Sequence, residues 1–346
     1  MELRFLGSSG LEVSVLSFGT MTLGGEGRFA AMGNVQVEEA RRLAGICLDA
    51  GVNLFDTADI YSTGKSEEIL GKALGDRRKE VVLATKVFNR LEPGHHKAGL
   101  SRKHIMEACE ASLRRLGTDY IDLYQAHSFD SFTPLEETMR AFDDLVRQGK
   151  ILYAGCSNYA GWQLMKSHMV ADRLGVRRYI SQQINYSLLA RGAEHDLVPA
   201  GLDQKTGIMA WSPLHFGYLT GKFRRGQQRP QESRLNALEA PGGVDEDRLY
   251  RIVDVLDEIA NQRGVTVSQV ALNWVMRKPG VDTVVIGARI EQQLRDNLAS
   301  ASWALTSEEV ARLDEASAIP LPYPHWHQQK FGAERNPPLR SMRVEE

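Results

Sequence analysis

The sequence predicts an α/β protein built as a closed (β/α)8 TIM barrel, eight parallel strands each followed by helix, and three observations carry that expectation. Eight short apolar runs, at 15–19, 52–56, 81–86, 120–126, 151–156, 179–184, 208–211 and 282–286, alternate with amphipathic segments. Gly51, Gly149, Gly207 and Gly280 stand one or two residues before such runs, where the end of a helix favours a left-handed residue. Three runs also end on polar residues that a core would not select, Asp56, Lys86 and His127, and parallel barrels keep their chemistry on the face where strands end. An open doubly wound sheet is the rival arrangement.

Taken in order, residues 2–15 alternate around Ser8, Ser9 and Gly10 and predict a hairpin ahead of the barrel. Val52 to Phe55 form a short apolar run after Gly51, and from Ser66 the chain turns helical, with Ile69, Ala73 and Leu74 on one face. Tyr61 therefore lies in a strand-to-helix loop. Between Ser101 and Gly117, apolar positions recur at 105, 108, 109, 113 and 116, the spacing of one helical face, and Gly117 stops that helix. Thr133 and Glu136 predict a capping box with Pro134 at the first helical position, and the pairs Thr266 with Gln269 and Thr306 with Glu309 repeat the box. The stretch 212–245 is longer than an ordinary barrel connection and reads as a functional loop after the seventh strand. The tail, 319–346, is rich in proline and aromatics; an irregular course over one end of the barrel is expected, with its last ten residues disordered. No linker divides the chain, so 1–346 reads as one domain.

A formal charge of −2 gives no electrostatic reason to seek nucleic acid or an anionic membrane as partner. Cys47, Cys109 and Cys156 fall within helix and strand segments and read as reduced core residues of a cytoplasmic protein. The N-terminus lacks a basic region followed by a continuous apolar one, and no later run of apolar residues has the length of a membrane span. Gly25, Gly27 and Ala30 match a dinucleotide fingerprint, but helical periodicity begins only near Val37, too late for that motif, and the glycines read instead as a loop over the site. His95 with His96 and His325 with His327 lack metal-ligand spacing, and no metal is expected. Lys222, Arg224 and Arg225 lack the interleaved aromatics of single-strand binders.

Parallel strands bring Asp56, Lys86 and His127 to one barrel face, with Tyr61 in the loop beside the first. A free phenol has a pKa near ~10, and an adjacent ammonium lowers it, so Lys86 is expected to make Tyr61 a better proton donor. Asp56 supplies the counter-charge that a buried lysine needs. His127 is then placed to orient a carbonyl. Near the eighth strand's end, backbone donors and Arg289 are placed to meet a phosphate.

These residues lie in motifs, GVNLFDTADIYSTGKSEEILGKAL at 51–74, TK at 85–86, LYQAH at 123–127, CSNY at 156–159, AWSPL at 210–214 and IGAR at 286–289, through which the chain resembles the aldo-keto reductases over about residues 3 to 315. The resemblance implies NADPH-dependent reduction of an aldehyde or ketone, with Tyr61 as general acid, Lys86 and Asp56 as its tuning pair and His127 orienting the substrate. It implies that Ser157, Asn158 and Gln183 hold the nicotinamide carboxamide, that Trp211 stacks on the ring, and that Thr20 and Met21, with Asp56 nearby, line the mouth. Ser212, Pro213, Leu214, Gly217, Leu219 and Lys222 are implied around the pyrophosphate, and Gly287, Ala288, Arg289, Gln293 and Asn297, with Arg234, at the adenosine end. Met21, Tyr61, Phe88, His127 and Phe129 are the substrate-facing candidates, joined by Tyr323, Trp326 and Phe331 of the tail. The expected partner is a small carbonyl compound, and no feature selects an oligomeric state. Potassium-channel β-subunits are similar to this family and imply an alternative, a non-catalytic nucleotide-binding regulatory role. They carry asparagine where this chain has His127.

Overall fold

The structure, a computed structural model, describes residues 1–227 and 243–332. It opens with the antiparallel hairpin β1 (Leu3–Phe5) and β2 (Glu12–Ser14). Eight parallel strands follow: β3 (Leu16–Gly19), β4 (Leu54–Asp56), β5 (Val82–Val87), β6 (Ile121–Ala126), β7 (Ile151–Ser157), β8 (Ser181–Asn185), β9 (Gly207–Trp211) and β10 (Val281–Ile286). They close in the order β10-β3-β4-β5-β6-β7-β8-β9, which removes the open sheet from consideration. Strand ends agree with the sequence expectation to within two residues.

Helices α1 (Val37–Asp49), α2 (Lys65–Leu74), α3 (Arg102–Leu116), α4 (Leu135–Arg147), α5 (Gly161–Leu174) and α6 (Leu197–Gln204) connect successive strands. Two helices, α7 (Glu246–Arg263) and α8 (Val267–Met276), separate β9 from β10, and α9 (Glu291–Ala299), α10 (Ser307–Ala316) and α11 (His325–Gly332) complete the described chain. Ser101 accepts a bond from His104 N and Gly117 is left-handed, so both ends of α3 are satisfied as expected. Cys47, Cys109 and Cys156 are free and buried. Among the described residues no helix is long and apolar enough to cross a membrane.

The barrel interior changes character along its axis. At the end where strands begin, Leu6 and Val13 of the hairpin pack with Leu54, Val82, Ala84, Leu123 and Met209 as an apolar plug. At the other end the same strands present Asp56, Lys86, Gln125 and Gln183 inward. Register holds these polar residues level, pairing Lys86 with Gln125 on the neighbouring strand and Ser157 with Gln183.

Several local expectations need correction. Pro134 is extended and precedes α4, and Thr133 donates to Asp130 at 2.8 Å, so no capping box forms there. Thr266 caps α8, but the Gln269 side chain bonds Asp296 rather than closing the box; only Thr306 with Glu309 forms both halves. Gly207 is not left-handed; Lys205 takes that conformation after α6. What Gly207 provides is room, since a Cβ there would meet Asp282 Oδ2 at 2.2 Å and Gly7 N at 2.5 Å. The tail is not wholly irregular, because α11 forms within it and His325 stacks on His195 at 5.5 Å. Of the long loop after β9, residues 228–242 lie outside the described residues, Arg234 with them.

Gly71 tests how tightly α2 seats on α3. A Cβ at this position would stand 2.2 Å from the backbone oxygen of Leu116. In an open helix glycine to alanine adds about 1 kcal/mol of stability; Gly71→Ala is expected to lower it instead, seen as a lower urea midpoint. A raised midpoint would show that the two helices can separate without cost.

Candidate active site

Asp56 ends β4 and Lys86 lies near the end of β5, and the chain brings them together because the strands are neighbours. Lys86 Nζ donates to Asp56 Oδ2 at 2.6 Å and to Thr57 O at 2.7 Å, with the lysine side chain 0% and the aspartate 3% exposed. The second carboxylate oxygen, Oδ1, accepts from Gln183 Nε2 at 2.8 Å and Gln125 Nε2 at 3.3 Å. Tyr61 begins a tight turn, Tyr61–Gly64, in which Ser62 and Thr63 are left-handed, and its hydroxyl reaches Lys86 Nζ at 3.5 Å. Burial alone would lower the ammonium's proton affinity, but Asp56 and Tyr61 together raise it, so Lys86 is a cation.

One sequence expectation is overturned. Tyr61 is held above, not below, the ordinary phenol range: burial is the largest influence, and Lys86 only partly opposes it. The geometry gives the reason, since the ammonium spends its short contacts on Asp56 and Thr57 and keeps the phenol at the longest distance. Behind the turn, Asp59 is 1% exposed, and neither of its carboxyl oxygens has a hydrogen-bond partner among the described residues. Burial first and the neighbouring Glu67 second push its proton affinity well above the usual carboxylate range, and Asp59 is the smallest of the influences that raise the phenol.

His127 follows β6 and its ring lies 5.9 Å from that of Tyr61. Its Nδ1 meets Asn89 Nδ2 at 3.3 Å, while Asn89 Oδ1 accepts from Arg28 Nη2 at 3.3 Å. Arginine only donates, so it fixes which end of the Asn89 amide faces it; the amide nitrogen must then face the imidazole, Nδ1 is the acceptor, and Nε2 carries the proton. Burial foremost, then the charges of Lys86 and Arg28, lower the imidazole to about 3. The site thus combines a protonated phenol, a buried ammonium and a neutral imidazole with one N–H to offer.

The other expected residues are distributed less simply. Asn158 is left-handed; its Nδ2 donates to His127 O at 2.9 Å and its Oδ1 accepts from Trp211 Nε1 at 3.2 Å, tying the ends of β6, β7 and β9 together. Ser157 donates to Gln183 O at 2.9 Å. Gln183 itself bonds Asp56, so its amide is not kept wholly for a cofactor. Thr20 does not line the mouth: it is 0% exposed and bonds Asp56 O and Ser66. Met21 does reach the mouth, packing with Phe29, Ala58, Ile60 and Tyr61. Phe88 packs on the outer core, and Phe129 meets Tyr159 and Trp162. Tyr323, Trp326 and Phe331 are exposed and touch their tail neighbours.

For a dinucleotide, the donor set after β9 and β10 fits. Ser212 and Gly217 are left-handed within a tight turn, Pro213 and Leu219 are buried beneath it, Leu214 is half-buried and Lys222 is exposed. A Cβ at Gly217 would meet nothing within 4 Å, and at Gly287 only Gly19 O at 3.8 Å, so both backbones are open to a ligand. Arg289 is exposed, its backbone N–H bonds Gln293, Asn297 bonds Gly287 O, and Ala288 accepts from Thr22. Among the described residues no group of three or more His, Cys, Asp or Glu could hold a metal. Sequence reasoning missed Gln125 and Asn89. Gln125 carried a signal, a polar residue inside an apolar strand two places before His127 and therefore on the same face; Asn89 in its loop carried none.

The profile of the Aldo/keto reductase family matches residues 15–318. A relative from Arabidopsis thaliana, named a probable voltage-gated potassium channel subunit beta, is 39% identical over 86% of this chain and 90% of its own length. The uncharacterized oxidoreductase YrpG of Bacillus subtilis is 37% identical over 91% and 95% of the two chains. Versiconal hemiacetal acetate reductase of Aspergillus parasiticus is 35% identical over 91% and 96%.

The depressed imidazole has a measurable consequence. An unfolded histidine titrates near ~6.5, so between about 3 and that value unfolding takes up a proton, and the stability owed to this group falls as pH falls through the window. His127→Gln is expected to soften the loss of melting temperature on acidification. By NMR the His127 ring stays neutral near pH ~5; titration at the ordinary value would refute the enclosed, charge-flanked geometry.

Proposed function

The chain belongs to the aldo/keto reductase family, and from that premise we propose that it is an NADP(H)-dependent reductase of aldehydes or ketones, with Tyr61 as proton donor. The observation that carries the reading is the contact of the Tyr61 hydroxyl with a fully buried ammonium, 3.5 Å away, beside a neutral imidazole. When bound, the reduced nicotinamide supplies a hydride to the carbonyl carbon. Ser157, Asn158, Gln183 and Trp211 are the residues to hold its ring, the turn 212–222 its pyrophosphate, and Gly287, Ala288, Arg289, Gln293 and Asn297 its adenosine end.

The chain's own part is proton transfer and orientation. His127 Nε2–H and the Tyr61 hydroxyl bond the carbonyl oxygen and set its direction. As negative charge develops there, Tyr61 gives up its proton, the O–H bond breaks as the new one forms, and the product is an alcohol. Lys86 then faces a phenolate, the charge its position best stabilises, and a proton from water restores the phenol. A phenol held above its ordinary range is protonated throughout neutral pH, which suits donation to a strongly basic alkoxide and disfavours the reverse step. Buried free cysteines suit a cytoplasmic enzyme.

A second reading, a nucleotide-binding channel subunit without turnover, draws on the relatives that carry that name. Tryptophan quenching by NADPH and NADH, followed by absorbance with a panel of aldehydes and ketones, separates the two: binding with turnover supports the reductase, binding without it the regulatory role.

Tyr61→Phe is expected to keep cofactor affinity and lose ~10²-fold or more of carbonyl reduction; undiminished turnover would remove the assigned acid. Arg289→Leu should weaken NADPH by about tenfold or more and NADH little, as loss of a charged contact to phosphate implies. Equal losses for both nucleotides would rule out a 2′-phosphate contact.

A further inference from the structure

The rim of the site carries a cation whose part so far is to orient Asn89 and, through it, His127. Arg28 lies on the turn Gly27–Phe29 after β3 and is exposed. Its contacts are Asn89 Oδ1 at 3.3 Å and the Phe29 ring at 5.2 Å, and no carboxylate pairs with it among the described residues. Each contact leads to the reaction centre in one step, Asn89 to His127 Nδ1 at 3.3 Å and Phe29 to the Tyr61 ring at 5.4 Å. The guanidinium thus stands one side chain away from both groups that hold the carbonyl.

Beside Asn89, the half-buried Met21, Met32, Tyr61 and Leu91 make the neighbourhood of Arg28 apolar. Phe29, Ala58 and Ile60 form a small cluster on which Met21, Met32 and Leu91 pack, and Tyr61 belongs to it. An apolar wall with an arginine at its edge that no carboxylate pairs among the described residues suits a ligand with an apolar body and an anionic end. Cofactor phosphate does not explain the cation. The turn of Arg28 follows β3, which pairs with β10, but its guanidinium is directed to Asn89, and Asn89 and His127 follow β5 and β6, across the closed barrel from β9 and β10, the strands that carry the expected cofactor loops. An arginine kept only for solubility would not need its planar group spent on an amide that in turn sets an imidazole.

We infer that Arg28 binds an anionic group of the substrate, and that the preferred substrates are aldehydes or ketones carrying a carboxylate or similar anion one short chain or one aromatic ring from the carbonyl. The inference rests on the reductase reading. Arg28 also orients Asn89 and through it His127, so its loss lowers turnover of every substrate to some degree. The ratio between an anionic substrate and its neutral counterpart cancels that shared effect.

The test compares kcat/KM for 4-carboxybenzaldehyde and for methyl 4-formylbenzoate, in the wild type and in Arg28→Gln and Arg28→Lys. The wild type is expected to favour the carboxylate by about tenfold, Arg28→Gln to remove that preference mainly through KM, and Arg28→Lys to restore part of it. Added salt should narrow the wild-type preference and leave that of Arg28→Gln unchanged. An equal ratio in wild type and Arg28→Gln would overturn the inference. If neither aldehyde is reduced, the reductase reading fails, and the anion site is decided by fluorescence quenching with 4-carboxybenzaldehyde. Weaker binding to Arg28→Gln supports the site, and equal binding overturns it.

Discussion

A lysine ammonium with no exposed surface is the constraint on which the rest of this site depends. Removing such a charge from water costs several kcal/mol, and one carboxylate rarely repays it unless the remaining lone pairs and protons are also satisfied. Here the repayment is spread over three strands and a loop: β4 gives Asp56, the loop after it the Thr57 carbonyl, and β6 and β8 the amides of Gln125 and Gln183. Removing any one of these leaves a buried charge short of a partner. The barrel is what makes the solution possible, because only a closed sheet points side chains from non-adjacent strands at one spot.

The same closure explains the division of labour along the axis. The hairpin and the apolar half of the interior form a dry plug, so the polar layer above it has no water beneath to dilute its field. Lys86 therefore acts on Tyr61 through protein rather than solvent. That setting also raises the phenol, since a medium that strengthens the lysine's pull penalises the phenolate as well. Burial wins over the ammonium, and the phenol is held above its ordinary range.

Most of the architecture was legible from period and punctuation; Asp56, Lys86 and His127 stood out because each stands where an apolar run stops, and Tyr61 because it lies in the loop beside the first of them. What escaped did so for identifiable reasons. The resemblance implied Thr20 at the mouth, but a hydroxyl can satisfy itself on Asp56 O and Ser66 and so be buried at little cost. Gly207 was read as a helix stop, although it is needed for the close approach of Gly7 and Asp282, which are remote in sequence. The direction of the Tyr61 shift was misjudged because sequence identifies the neighbours of a group but not the distances that rank them.

Asn89 shows the limit most clearly. Nothing in a loop asparagine marks it, yet its amide links a charge at the rim to a hydrogen position at the centre. Arg28 cannot accept, so Asn89 must present oxygen to it and nitrogen to His127; the imidazole must then accept at Nδ1 and donate at Nε2. An inverted amide would leave the guanidinium facing an NH2 group and offer a carbonyl oxygen to Nδ1, which would move the proton to that nitrogen and leave the substrate side without a donor. The cation at the rim and the proton on His127 Nε2 are therefore coupled through one amide.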